Sequence, residues 1–325
     1  MKVIVLTAGL GTRLRPHTYS KPKPLISVAG KPVIAHILDP LVDLNIEELI
    51  CVYGYLGDQI EAYLRGRYQF PMRFIEQADP KGQAHAIHLC REYVSGPTLV
   101  MFGDGLFSVD LNRIDDHPEE GVIYVQEVDD PRRFGVAVVA DGRITRLVEK
   151  PETPVSNLAV IGVYYVPSAD RLMQAIEHCM EHNIQTKGEY YLADALQVMI
   201  ERGEHFVTDT VAMWKDAGTV PAVIETHRYL LDNGHAHTGA PLNSAIIPPV
   251  HIADGATVEN SVIGPYVSIG AGAVVRNAIV ADSIINEGAV IEGVSLRGSL
   301  IGAKAQVSGA AQSLNIGETA TVQIG

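Results

Sequence analysis

Little in this chain points to redox, zinc or membrane chemistry. Its three cysteines, Cys51, Cys90 and Cys179, are widely spaced and form no CxxC pair, which excludes the zinc and dithiol motifs built on such pairs. Isolated cysteines of this kind are expected as buried, reduced thiols. No apolar run approaches the roughly 20 residues that a membrane-spanning helix needs. The opening MKVIVLTAGLG is too short to span and lacks a signal-peptide cleavage pattern, so it reads as a buried first strand of a cytoplasmic protein without a membrane partner. Positive charge is scarce as well. Against 38 Asp and Glu stand 25 Lys and Arg, a formal charge of −13. That balance argues against nucleic-acid binding, which depends on cations neutralising phosphates. It leaves room for a small anion held by a local basic cluster.

Two phosphate signatures are missing too. There is no GxxxxGK[ST] loop, since Gly30-Lys31 is followed by Pro32. The glycine-rich turn after the first strand is not a dinucleotide fingerprint either, because Leu14 stands where the third glycine belongs. No Ser/His/Asp nucleophile pattern is present, and the histidines, His85, His88, His235 and His237 among them, read as surface or structural residues.

What remains is a chain of 325 residues, 47% of them hydrophobic, enough for two domains with real cores. Up to about Tyr229, short β-rich runs alternate with helical patterns. Val3–Leu6, Glu48–Val52, Arg73–Ile75 and Thr98–Phe102 are expected as strands, and Val33–Leu44, Gln59–Arg65 and Ala84–Tyr93 as helices. This alternation predicts an α/β domain with a mostly parallel sheet and a ligand at the carboxyl ends of its strands. Beyond it, aliphatic residues recur every five or six positions: Ile252, Val258, Ile263, Ile269, Val275, Val280, Ile285, Ile291, Leu296, Ile301 and Val307. Such a series suits a short β-solenoid in which each coil buries its aliphatic residue against the next. Its open end and apolar faces predict a homo-oligomer. The expected division is a catalytic domain at 1–234, a connector at 235–249 containing three prolines, and the solenoid at 250–325.

The candidate site begins at Leu6-Thr7-Ala8-Gly9-Leu10-Gly11-Thr12-Arg13-Leu14-Arg15-Pro16. Its glycines let backbone N–H groups approach an anion, and Arg13 offers a planar fork of donors to a phosphate. Ser20-Lys21-Pro22-Lys23-Pro24-Leu25 follows, with two lysines held in a stiff stretch. Arg13, Arg15, Lys21 and Lys23 thus gather within a short span of an acidic protein. Asp104, in Gly103-Asp104-Gly105 at the end of a strand, and Asp216, in Trp214-Lys215-Asp216, are candidate Mg²⁺ ligands, a cation held by one or two carboxylates plus substrate phosphates. Glu149-Lys150 closes another strand. Neighbours on a strand face opposite ways, so the two need not pair with each other; one could read hydroxyls and the other a phosphate.

In order, GxGTRLRP, KPKPL, GD, VEKP and W-x-D-x-G-T resemble the sugar nucleotidyltransferase family, most of all its glucose-1-phosphate thymidylyl- and uridylyltransferases. The resemblance covers most of the first domain. It implies a Rossmann-like nucleotidyltransferase domain followed by a left-handed parallel β-helix. It also implies transfer of a nucleotidyl group from dTTP or UTP to a sugar 1-phosphate, with glucose 1-phosphate expected and pyrophosphate released. By this resemblance Ala8, Gly9, Gly11, Thr12 and Arg13 would embrace the nucleoside triphosphate, with Arg13 and Lys23 catalytic and Mg²⁺ on Asp104 and Asp216. Gln77 and Gly82 would read the pyrimidine edge. Gly135, Glu149, Lys150 and Val160 would hold the sugar phosphate, on a sugar-side strand that also carries Asn157 and Gly162. Two departures from the family pattern are Ala8 in place of a glycine and Gly105 in place of an asparagine after Asp104. Two alternatives stay open. One is a silent regulatory subunit, although the charged residues such relatives lose are present here. The other is a bifunctional enzyme with acyltransferase activity in the β-helix, although His251 precedes the repeats and no histidine lies within them.

Overall fold

The computed structural model describes residues 1–117 and 119–309 of the chain; the last stretch of the expected β-helix, 310–325, lies outside them. The chain divides into two compact units. One comprises Met1–Ile26 with Lys31–Thr226, the other Ser27–Gly30 with His227–Gly325.

The first unit follows the alternation read from the sequence. Its elements are β1 (Lys2–Leu6), α1 (Val33–Leu38), β2 (Glu48–Tyr53), α2 (Gly57–Arg67), β3 (Met72–Glu76), α3 (Gln83–His88), β4 (Thr98–Phe102) and β5 (Gly105–Ser108). There follow β6 (Gly121–Glu127), β7 (Gly135–Ala140), β8 (Arg143–Glu149), β9 (Leu158–Val166), α4 (Ala169–Glu181), α5 (Leu192–Glu201), β10 (Phe206–Thr210) and β11 (Met213–Asp216). Helix α6 (Val220–Leu230) leads the chain from this unit into the next. The main sheet runs β8-β7-β9-β4-β1-β2-β3, with β6 pairing β9 and β10 pairing β6. Strands β4, β1, β2 and β3 are parallel, and β9 joins them antiparallel. Val3, Ile4 and Val5 of β1 are fully buried, the continuous apolar run expected of a strand covered on both faces.

Helix ends obey local chemistry. The helical pattern Val33–Leu44 is α-helical only to Leu38 and tightens into a 3₁₀ turn over Asp39–Leu41, where Pro40 has no N–H to continue the ladder. Helix α4 starts at Ser168, whose Oγ accepts from Arg171 N at 3.3 Å, a side-chain N-cap. Cys51, Cys90 and Cys179 are buried free thiols, and burial pushes Cys51 and Cys90 up to about 12. Among the described residues, no helix is long and apolar enough to cross a membrane.

The second unit is the solenoid. Its strands stack into three parallel sheets. Every aliphatic residue of the sequence repeat falls in one of three ladders: Ile252, Ile269, Ile285 and Ile301; Val258, Val275, Ile291 and Val307; and Ile263, Val280 and Leu296. Those from Ile252 to Ile291 are at most 3% exposed and form that unit's core, so its cohesion comes from coil on coil. It is a left-handed β-helix of the hexapeptide type. His251 Nδ1 donates to His235 O at 3.1 Å, and its Nε2 packs so closely on Gly30 that a Cβ there would lie 2.1 Å away.

Candidate active site

Strand register decides what can meet. Leu6 pairs with Val52 on one side and Phe102 on the other, so β1, β2 and β4 end at one level. The segments that leave them, Thr7–Thr12, Gln77 after β3 and Gly103-Asp104, therefore emerge together at the carboxyl edge of the sheet. Close backbone approach holds them there. A Cβ on Gly103 would lie 2.7 Å from Thr7 Cγ2, and one on Gly54 would lie 2.9 Å from Ala8 O. Gly11 has a left-handed φ of +61°, and a Cβ there would stand 3.0 Å from Lys23 Cβ, so only glycine allows this turn against the lysine.

Two lobes open at this edge. The first, of about 480 Å³, is lined by Thr7, Ala8, Gly9, Leu10, Gly11 and Thr12, with Lys23, Gln77, Gly82 and Glu189. The second, of about 360 Å³, is lined by Arg13, Gly135, Glu149, Lys150, Val160, Gly162 and Asp216, with Arg133, Phe134, Tyr164 and Trp214. Gln83, Phe102 and Asp104 line both. The residues expected at a nucleotide thus collect in one lobe and those expected at a sugar phosphate in the other, with Asp104 at the junction. Arg13 parts from its loop neighbours and faces the second lobe.

The charged groups converge on that junction. Lys23 is buried, and its Nζ lies 3.0 Å from Asp104 Oδ2, while the Asp104 side chain is 59% exposed to the cleft. The second aspartate arrives from far along the chain. Strands β5 and β11 form a two-stranded antiparallel ribbon in which Asp216 pairs with Gly105, next to Asp104. A Cβ on Gly218 would fall 2.6 Å from Arg13 Nη2 and 2.8 Å from Asp216 Oδ1, which puts that cation and that anion around one glycine. Of the other basic residues, Arg15 stacks on Tyr19 at 4.9 Å and lines neither lobe.

Glu149 and Lys150 depart from simple strand alternation. Strand β8 ends at Glu149, and Lys150 turns away with φ +44°. Its Nζ comes back to 3.3 Å from Glu149 Oε1, so the two pair instead of facing opposite ways. Lys150 also donates to Tyr191 Oη at 2.8 Å and lies 4.5 Å from the centre of that ring. Burial raises the Glu149 carboxyl above its ordinary range, although Lys150 pulls it down. Burial alone would lower Lys150, but the Tyr191 hydrogen bond and the Glu149 charge outweigh it and raise the ammonium. Gly135 sits opposite Glu149 in the register, and a Cβ there would be 2.8 Å from Glu149 Oε2. Asn157 lies outside both lobes, its carbonyl accepting from Val128 N at 3.0 Å.

The Gln77 end of the first lobe is equally specific. Gln77 is 7% exposed. Its Nε2 donates to Gly82 O and reaches His85 Nδ1, both at 3.1 Å. Gly82 has φ +107°, and a Cβ there would lie 2.5 Å from Tyr190 O, so this carbonyl is locked in place.

Residues 2–233 match the family described as Nucleotidyl transferase. The chain belongs to that family. Residues 225–282 match a second description, the GlmU-like C-terminal hexapeptide. This nucleotidyl transferase is 35% identical over 226 residues to a UTP–glucose-1-phosphate uridylyltransferase of Haloferax volcanii, covering 66% of this chain and 90% of that one. It is 31% identical to a glucose-1-phosphate thymidylyltransferase of Streptomyces griseus, covering 100% and 99%. Its fold is similar to the crystal structure of a putative glucose-1-phosphate thymidylyltransferase from Bacillus anthracis, with TM-score 0.61 and 28% identity over 70% of this chain and 94% of that one.

Three groups at the site were given no role in the sequence reading. Phe134 and Trp214 meet edge to face at 4.9 Å, beside Gly135 and Asp216. Tyr191 grips Lys150 from the loop before α5. The signal for the first pair was present, aromatic residues adjoining two residues already singled out. Nothing local marked Tyr191.

Proposed function

We propose that this nucleotidyl transferase joins dTTP or UTP to a sugar 1-phosphate, glucose 1-phosphate in the first instance, and releases pyrophosphate. The observation that carries the reading is the two-lobed cleft that meets at Asp104, with Lys23 on one side and Asp216 on the other. The relatives named above carry the same chemistry in their names.

In the reaction a sugar-phosphate oxygen attacks the α-phosphorus of the triphosphate, forming one P–O bond as the bond to the β-phosphate oxygen breaks. That oxygen is already ionised at neutral pH, so no general base is needed, and catalysis reduces to positioning and charge neutralisation. Glycine-loop N–H groups cradle the polyphosphate, and Lys23 and Arg13 offset the charge that develops at the α-phosphate and leaving group. Lys150 faces the sugar phosphate. Glu149, held by Lys150 and given room by Gly135, accepts from sugar hydroxyls.

Two carboxylates at the junction are the donor set that suits Mg²⁺. Among the described residues no three His, Cys, Asp or Glu side chains gather into a metal cage, so a cation here would complete its shell with phosphate oxygens and water. Asp104 and Asp216 would hold it, and when bound it supplies charge neutralisation on the phosphates. The test is a screen of all nucleoside triphosphates against a panel of sugar 1-phosphates, read by pyrophosphate release. Turnover is expected with dTTP or UTP and glucose 1-phosphate. Silence across the whole panel overturns the proposal and favours a regulatory subunit.

A further inference from the structure

We propose that His85 is a positioning residue that, together with the Gly82 carbonyl, holds the amide end of Gln77 away from the base pocket and so helps select uracil or thymine over cytosine. The inference rests on the reading of Gln77 as the residue that meets the base. It assigns to His85 a role where the sequence suggested only a structural one.

The argument runs through one amide group. Gln77 Nε2 carries two hydrogens and can only donate. Both of its neighbours at 3.1 Å must therefore be acceptors: the carbonyl of Gly82 and Nδ1 of His85. An imidazole that accepts at Nδ1 carries its proton on Nε2 and is neutral, and burial favours the neutral ring by lowering the His85 pKa. With both amide hydrogens committed, the carboxamide oxygen is the end of Gln77 left for the lobe that it lines. A flip would set that oxygen against the Gly82 carbonyl, an acceptor whichever tautomer His85 adopts.

An acceptor at this point is selective. Uracil and thymine present N3–H, a donor, whereas cytosine presents a bare N3 lone pair. The Gln77 oxygen therefore complements the first two and repels the third. Discrimination by a buried, correctly paired polar group is stronger than a pocket achieves by fitting a methyl, so the uracil ring is read firmly while the methyl that separates dTTP from UTP is not.

The test uses the protein with UTP, dTTP and CTP varied at saturating glucose 1-phosphate, and with glucose 1-phosphate varied at saturating UTP. His85→Leu removes the acceptor and is expected to raise KM for UTP and dTTP by about 3- to 10-fold, the effect of losing one hydrogen bond. The preference over CTP should fall by a similar factor, with kcat and the KM for sugar 1-phosphate unchanged. His85→Gln, whose carboxamide oxygen can accept, should restore wild-type values. His85→Lys, which offers a donor, should shift the preference furthest toward CTP and serves if the leucine variant does not fold. An unchanged UTP-to-CTP ratio in both His85→Leu and His85→Lys overturns the role. So does a loss shared equally by all three variants and extending to the sugar KM. A wild-type enzyme that already accepts CTP as well as UTP overturns the underlying assignment of Gln77 instead.

Discussion

Lys23 Nζ and Asp104 Oδ2 are 3.0 Å apart, with the lysine buried and the carboxylate open to the cleft. The pair joins one lobe to the junction of both. On the proposed mechanism, replacing Lys23 by Ala removes the cation that offsets charge at the α-phosphate. Turnover is expected to fall about 10²-fold or more, the scale seen when a preorganised transition-state contact is lost. Pyrophosphate release checks it, and near-normal turnover would take Lys23 out of the mechanism.

Asp104 and Asp216 are proposed as a shared cation site. Asp104→Asn and Asp216→Asn should each move the magnesium titration of activity to higher concentration and lower its plateau. Because both act on one ion, the double variant should lose less than the product of the two single losses. Independent, multiplicative losses would separate the two aspartates.

Gly135→Ala would press a methyl to 2.8 Å from Glu149 Oε2. The carboxylate must move, and displacement on the scale of an ångström is costly to a positioned group. The KM for sugar 1-phosphate should rise about tenfold while the KM for nucleotide holds. Equal effects on both substrates would show that Glu149 does not face the sugar.

Tyr191→Phe keeps the ring beneath Lys150 and deletes only the acceptor at 2.8 Å. About a 3- to 10-fold rise in the sugar-phosphate KM is expected from one lost hydrogen bond. Steady-state kinetics at saturating nucleotide decide it, and an unchanged KM would leave the ring alone as the anchor.

His227 is fully buried, and burial lowers its pKa to about 4; its Nδ1 accepts from Ala29 N at 3.1 Å. The unfolded chain takes up a proton at an ordinary histidine pKa of about 6.5, while the folded one resists until about pH 4. Between these values the unfolded state holds the extra proton, so stability falls as pH falls. The loss is on the order of 3 kcal/mol over that window. Thermal melts at pH 7 and pH 5 should show a smaller drop for His227→Gln than for wild type. Parallel drops would remove His227 as the cause.

The fold was legible where order is local. Apolar runs marked the strands of the parallel sheet, glycines marked the turn at Gly11, and the aliphatic repeat marked the rungs of the solenoid from Ile252 to Val307, though not the one at Ala245–Ile246. Pairing across distance was not. No local pattern says that Met213–Asp216 lies beside Gly105–Ser108, which is what makes Asp216 a neighbour of Asp104. Alternation misplaced Lys150 because it assumes extended backbone, and Lys150 leaves the strand at a positive φ. His85 was passed over because its part is to orient another side chain.

The β5–β11 ribbon has a bearing on biosynthesis. Residues 105–108 are translated more than a hundred codons before residues 213–216. A nascent chain halted ahead of Met213 would already own Gln77, Lys23 and Asp104 but not the second carboxylate. Any split of the gene between these two stretches would place half of the junction on each fragment.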